Sequence, residues 1–262
     1  MKTFLRILFM LLLAADLYGQ TGGRVADWEK GILSDEQVSA AEFKNDLLKY
    51  DFAPLWISNE KWGDLGFIGD DYQRLRMRIL SVVKDKNNPG TYLVTGKSMV
   101  KNNVSRFSGT IKLRTARTLK KVSWGVDDEF KDAGIKNAGL IFADYDLAED
   151  KKQTGSGVFK GTLLTYWYID KNDKLRYNDI DSAADGYSNN QFAGTWQSYQ
   201  TGAVKTANWG DDRIPLSGDL DMGAGEFSPA EKYRKFDWQS YVDAYFSGNK
   251  KALAEERRKW WK

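Results

Sequence analysis

The chain has 262 residues, 39 Lys and Arg against 36 Asp and Glu, and neither a histidine nor a cysteine. That composition excludes disulfide stapling, Ser-His-Asp and Cys-His catalysis, and any metal centre built on imidazole or thiolate. A net charge of +3 without a long basic stripe argues against a nucleic-acid partner, and it leaves carboxylates, Tyr and Lys for acid–base chemistry and oxygen ligands for any metal.

In chain order, Lys2 and Arg6 precede an apolar run from Ile7 to Ala15 and a small-residue exit at Gly19. This is the order of a secretory signal peptide, over 1–19, and the run is shorter than the roughly 20 apolar residues of a transmembrane helix. The expectation is an exported protein, periplasmic or extracellular, with no transmembrane segment and, lacking a cysteine, no lipid anchor.

Residues 20–65 read as a helical or irregular extension. Within it, Ser34 and Gln37 fit a capping box, and Val38, Phe43, Leu47 and Leu48 fall at helical spacing, so a helix is predicted over 34–50. From 66 to 205 the period changes to two. Strands are predicted at 74–83, 91–100, 106–117, 138–147, 157–169, 175–180 and 191–200, separated by short turns such as KNNPG and DKNDK. Phe-x-Gly-Thr occurs three times, at Phe107–Thr110, Phe159–Thr162 and Phe192–Thr195, at unequal spacing. It marks close backbone approach in a curved sheet rather than a solenoid repeat. Residues 206–262 read as an Asp/Gly-rich loop, then a helix over 228–248 with Ser228 as N-cap, then an amphipathic tail ending in Trp260-Trp261. Those tryptophans are expected to pack back onto the domain.

Consecutive strands with short turns predict a mainly β fold: an antiparallel barrel, or a sandwich, with flanking N- and C-terminal helices. Gly194-Thr195-Trp196 resembles the Gly-x-Trp element of lipocalin-like (calycin) barrels, although it lies late in the chain, and the resemblance implies a barrel architecture alone. A leader ending in Gly19-Gln20 on a Lys-, Tyr- and Trp-rich chain resembles secreted proteins of the Bacteroidetes.

The densest stretch is NWGDDRIPLSGDLDMGAGEF, 208–227. Its turn-forming residues explain themselves as structure, yet they also supply a candidate rim. The residues set forward for ligand binding are Trp209, Asp211, Asp212 and Arg213, with Trp196 and Tyr187 as neighbouring aromatics. Asp219, Asp221 and Glu226 could hold calcium, the one metal their oxygens suit, although their spacing is not that of an EF-hand. The preferred reading is non-enzymatic binding of a small apolar or glycan ligand. The alternatives are a carbohydrate-active enzyme using a carboxylate pair from these loops, and a structural or protein-interaction component of the cell envelope.

Overall fold

Eight strands run antiparallel around a closed ring. Their even number lets the meander rejoin itself antiparallel, and the pairings between neighbouring strands run all the way round. The computed structural model describes residues 21–58 and 65–262, so the predicted leader lies outside the described residues. The ring takes β1 (Leu65–Ile68), β2 (Gln73–Lys84), β3 (Thr91–Val100), β4 (Asn103–Thr118), β5 (Asn137–Glu149) and β6 (Gly157–Ile169) in sequence. A short β7 (Leu175–Tyr177) turns back on the end of β6, and β8 (Asn189–Ser198) and β9 (Val204–Asp211) complete the circuit. β9 then pairs with β1, placing Trp209 beside Gly66 and Asn208 beside Phe67. The fold is therefore a barrel and not a sandwich.

Alternation decides what fills it. Leu75, Met77 and Ile79 of β2 point inward, as do Ile141, Ala143, Tyr145 and Leu147 of β5 and Phe159, Leu163 and Trp167 of β6. Bulges at Ile79/Ser81 and Leu113/Thr115 reset the phase. The lumen is packed with rings: Phe192 stacks on Trp209 at 4.5 Å, and Tyr145 and Phe159 meet Trp209 edge-on at 5.1 and 5.8 Å.

The Phe-x-Gly-Thr repeat belongs to this packing. Each Phe enters the core, and Gly161 and Gly194 face each other across β6 and β8. A Cβ on either would lie 2.7 or 2.6 Å from the Tyr145 hydroxyl, so the glycine pair makes the space the tyrosine occupies. The other inward glycines do the same, with Gly66 beside Trp209, Gly96 beside Phe107 and Gly139 beside Trp167.

Helical pieces close and flank the ring. A helix, α1, covers 21–33 and lays Trp28, Ile32 and Leu33 against Leu140, Phe142 and Leu164 on the outer face of β5–β6. The predicted helix over 34–50 is corrected. The Ser34 hydroxyl donates to the carbonyls of Lys30 and Gly31 and ends a helix instead of starting one, and beyond it only α2 (Lys44–Leu47) forms. With α3 (Ala53–Trp56), α2 caps one end of the barrel. There the Trp56 indole donates to the Thr165 hydroxyl (2.9 Å), Thr165 donates to Asn190 (2.9 Å), and Asn190 donates to Leu55 O (2.8 Å) and Asp211 (2.9 Å).

The C-terminal helix is also shorter than predicted. A single 3-10 turn at Glu231–Tyr233 precedes Asp237, whose φ of 73° breaks the run, and α4 covers only Gln239–Tyr245. Asn249 then caps α5 (Lys250–Glu256), its side chain accepting from the amides of Lys251 and Ala252. The predicted strand over 175–180 stops at Tyr177. Among the described residues no helix is long and apolar enough to cross a membrane.

Candidate functional site

The loop at 208–227 is two things. Its first four residues are the end of β9, because pairing with β1 on one side and β8 on the other draws a Gly- and Asp-containing segment into the ring. Trp209 is accordingly in the lumen, 6% exposed, and cannot serve as a surface platform. The Asp211 carboxylate accepts from the Tyr177 hydroxyl (2.9 Å) and from Asn190, tying β7, β8 and β9 at the capped end. Burial and the Asp211 charge push the Tyr177 hydroxyl far above the usual range for a phenol.

From Asp212 (φ 61°) the chain leaves the barrel, and Arg213 organises the turns beyond it. Its guanidinium pairs with Asp221 at 2.6 Å and donates to the carbonyls of Gly223, Ala224 and Gly225 at 2.7–3.0 Å. Asp221 in turn accepts from the amides of Gly223 and Ser228, so one ion pair shapes the 221–228 turn. Asp219 is held by Lys232 (2.5 Å) and the Tyr233 hydroxyl (2.8 Å). The three calcium candidates are thus dispersed, two of them bonded to cations. Among the described residues no three acidic side chains converge as a metal site would require.

Trp196 lies at the opposite end of the barrel. Its indole donates to the buried Glu149 carboxylate at 2.9 Å, which also accepts from the Gly157 amide (2.7 Å) and the Ser98 hydroxyl. Burial raises the Glu149 carboxyl above its ordinary value, although these three donors oppose it.

The remaining candidates, Tyr187, Asp212, Arg213 and Glu226, share a cleft of about 1110 Å³ on the outer wall of β1–β2. The loop at 182–187 and the turn at 222–228 form one side, held together by the amide of Gly186 on the carbonyl of Gly225 at 2.9 Å. α4 and the C-terminal tail form the other. Beneath them Leu65 and Phe67 of β1 pack with Ile214, Leu220, Phe227 and Trp238 in a second apolar cluster outside the barrel.

The floor of this cleft comes from residues that sequence reasoning treated as ordinary. Arg74, Arg76 and Arg78 alternate with inward apolar residues along β2, where solvent is the expected environment. Instead they are 3, 5 and 7% exposed, because the C-terminal segment covers them. Glu256 of α5 enters between two of them, taking both terminal nitrogens of Arg74 (2.9 and 2.6 Å) and one of Arg76 (3.2 Å), with the Ser240 hydroxyl donating to it at 2.6 Å. Desolvation opposes ionisation of Glu256, but the arginine charges and hydrogen bonds outweigh it and hold the carboxyl below its ordinary range. Arg74 also lies 5.0 and 5.4 Å from the rings of Trp238 and Tyr241, and Arg78 lies 4.0 Å from Trp261. The tail therefore does fold back, with Trp260 buried against the domain. The available signal was a three-arginine strand together with the Glu255-Glu256 pair inside an otherwise basic, Trp-ended tail.

At the rim three large apolar side chains stand in solvent: Met222 at 69%, Tyr245 at 50% and Phe246 at 45% exposure. Comparison with protein-family models, curated proteins and solved structures finds no match in any of the three.

Proposed function

We propose that this protein binds a small glycan without catalysis, and that the ligand sits in the cleft on the outer wall of the barrel. The observation that carries this reading is the pairing of an exposed aromatic rim, Tyr245 and Phe246, with an arginine-lined floor in one large concavity. Concave sites with apolar walls and a few convergent polar groups are where small ligands bind. A sugar suits this surface because its C–H faces pack on aromatic planes while its hydroxyls take the polar groups between. The lumen offers less to a fatty or sterol-like ligand, since Trp167, Trp209, Tyr145, Phe159 and Phe192 already occupy it.

The test is the melting temperature of the full chain against a panel of oligosaccharides, fatty acids and sterols. A ligand at a hundredfold excess over its dissociation constant stabilises the native state by about 2.7 kcal/mol, which a melt resolves readily. The expected result is a shift with an oligosaccharide that disappears in the double variant Tyr245→Ala, Phe246→Ala, whose side chains are half exposed and cost little to remove. Stabilisation by a fatty acid that survives this double substitution would move the ligand into the barrel and overturn the reading.

A further inference from the structure

Most charges around the cleft are already matched inside the protein. Glu256 takes both terminal nitrogens of Arg74 and one of Arg76, and Arg213 is paired with Asp221. Arg78 lies under the Trp261 ring, and Arg78 and Lys259 are both engaged by further groups of the folded chain. An anionic ligand could take hold of this floor only by displacing one of those partners, and a buried charge stripped of its partner is strongly destabilising.

Of the other charged groups in the lining, Asp185 and Glu226 are exposed on the loop side and Arg257 on the tail side. An anion drawn to Arg257 would meet two carboxylates across the cleft, and a cation drawn to those carboxylates would meet Arg257. Each such exposed contact is weak and screened by salt. A hydroxyl group avoids the conflict, because it donates to a carboxylate and accepts from a guanidinium while carrying no charge itself. The apolar groups stand on both sides as well, with Met222 on the turn at 222–228 and Tyr245 and Phe246 at the end of α4. A ligand lodged between them packs on two apolar walls. At about 1110 Å³ the cleft exceeds the roughly 300–1,000 Å³ of sites that enclose a drug-sized ligand, which suits several linked sugars better than one.

Resting on the glycan-binding reading, we propose that the ligand is an uncharged oligosaccharide, held between Met222 and the Tyr245–Phe246 rim and bonded to the polar groups of the cleft through its hydroxyls alone.

The experiment is calorimetric titration of the full chain at 50 and 300 mM NaCl. The titrants are neutral malto-, cello- and manno-tetrasaccharides, each also in a form with one primary alcohol oxidised to a uronic acid and a form with one hydroxyl replaced by an amine. A neutral tetrasaccharide is expected to bind at least as tightly as either of its charged forms, with a dissociation constant that moves less than about twofold between the two salt concentrations. Met222→Ala, at a side chain 69% exposed, should weaken it about fourfold, the worth of one buried methylene group. Unchanged melting of that variant is the folding control, and an unchanged affinity would remove the ligand from between the two walls. Tighter binding of a uronic acid or amino form at 50 mM, with the gap narrowing at 300 mM, would overturn the uncharged assignment while leaving the glycan reading standing. No heat from any titrant would overturn the inference, and a melting panel silent to every oligosaccharide would overturn the glycan reading with it.

Discussion

Replacing Glu256 by Gln keeps the shape of the side chain and removes the charge that two buried guanidiniums share. The Glu256 and Arg74 side chains are each 3% exposed, so solvent cannot substitute for the lost partner. Removing one member of a buried ion pair costs about 3–5 kcal/mol, since the other charge is left desolvated. Asp237, 4.0 Å from Arg76, compensates only in part. α5 is terminal, so the chain has a cheaper response than global unfolding: the tail can detach and return Arg74, Arg76 and Arg78 to water. The expected loss in urea unfolding is therefore near the lower figure, about 3 kcal/mol, with faster amide exchange across 250–262 and new tryptic cleavage after Arg257 and Arg258. Replacing Arg74, Arg76 and Glu256 together by Met should recover most of the loss, because an apolar cluster of similar volume leaves no guanidinium of this group buried without its carboxylate. A Glu256→Gln protein within about 0.5 kcal/mol of wild type, with unchanged exchange in the tail, would refute this account of the cluster.

The same carboxylate predicts a pH effect of fixed sign. Its folded value is depressed, so its contribution is complete above the ordinary carboxylate range and is lost as pH falls through the folded value; acid should release the tail first, seen as early exposure of Trp260 in fluorescence. Glu149 works oppositely: its folded value is raised, so its contribution is present at low pH and fades as pH rises through that value, and Glu149→Gln should flatten this part of the stability profile in calorimetry. In Glu42, burial raises the carboxyl, but Thr115, the Ala116 amide and Arg117 bring it down to about 2; its contribution is present above about 4.5 and is lost toward 2, a slope that Glu42→Gln should remove from acid titration. Gly194→Ala should cost roughly 1–3 kcal/mol in denaturant unfolding through overpacking against Tyr145 and the Lys160 carbonyl, and an unchanged midpoint would mean that the tyrosine has another place to go.

Alternation made most of the barrel readable in advance, and for two strands the predicted ends, 91–100 and 157–169, match the structure to the residue. The elements that escaped did so for local causes. β9 contains Asn208, Gly210 and Asp211, residues whose own preferences point to turns, and only burial between two neighbouring strands makes them a ladder. β1 is four residues long and buried throughout, too short to show a period. The first helix was displaced because Ser34 can donate as well as accept, and a hydroxyl that ends a helix looks the same in sequence as one that begins it. The candidate site was half visible. Asp212, Arg213, Glu226 and Tyr187 stood out by type and do share the cleft, whereas Arg74, Arg76 and Arg78 looked like the wet face of a strand. Their burial depends on a tail more than 170 residues away, which no local pattern encodes.

The closing pair β1–β9 has a kinetic consequence. Every other junction in the ring joins strands linked by a short turn or by a connection of fewer than about 20 residues, but Phe67 meets Asn208 only after the whole meander has formed. This seam carries the largest loop-closure entropy in the barrel, which predicts that it forms last during folding. Opening is expected to start there too, because β1 contributes only four residues of ladder to hold it. The Phe227–Trp238 cluster and the tail lie across its outer side, so they are placed to act as a latch, and loosening either is expected to speed unfolding. A ligand spanning the cleft would bridge that latch, slowing unfolding by up to the full factor, one plus the ratio of free ligand concentration to Kd, that its affinity sets.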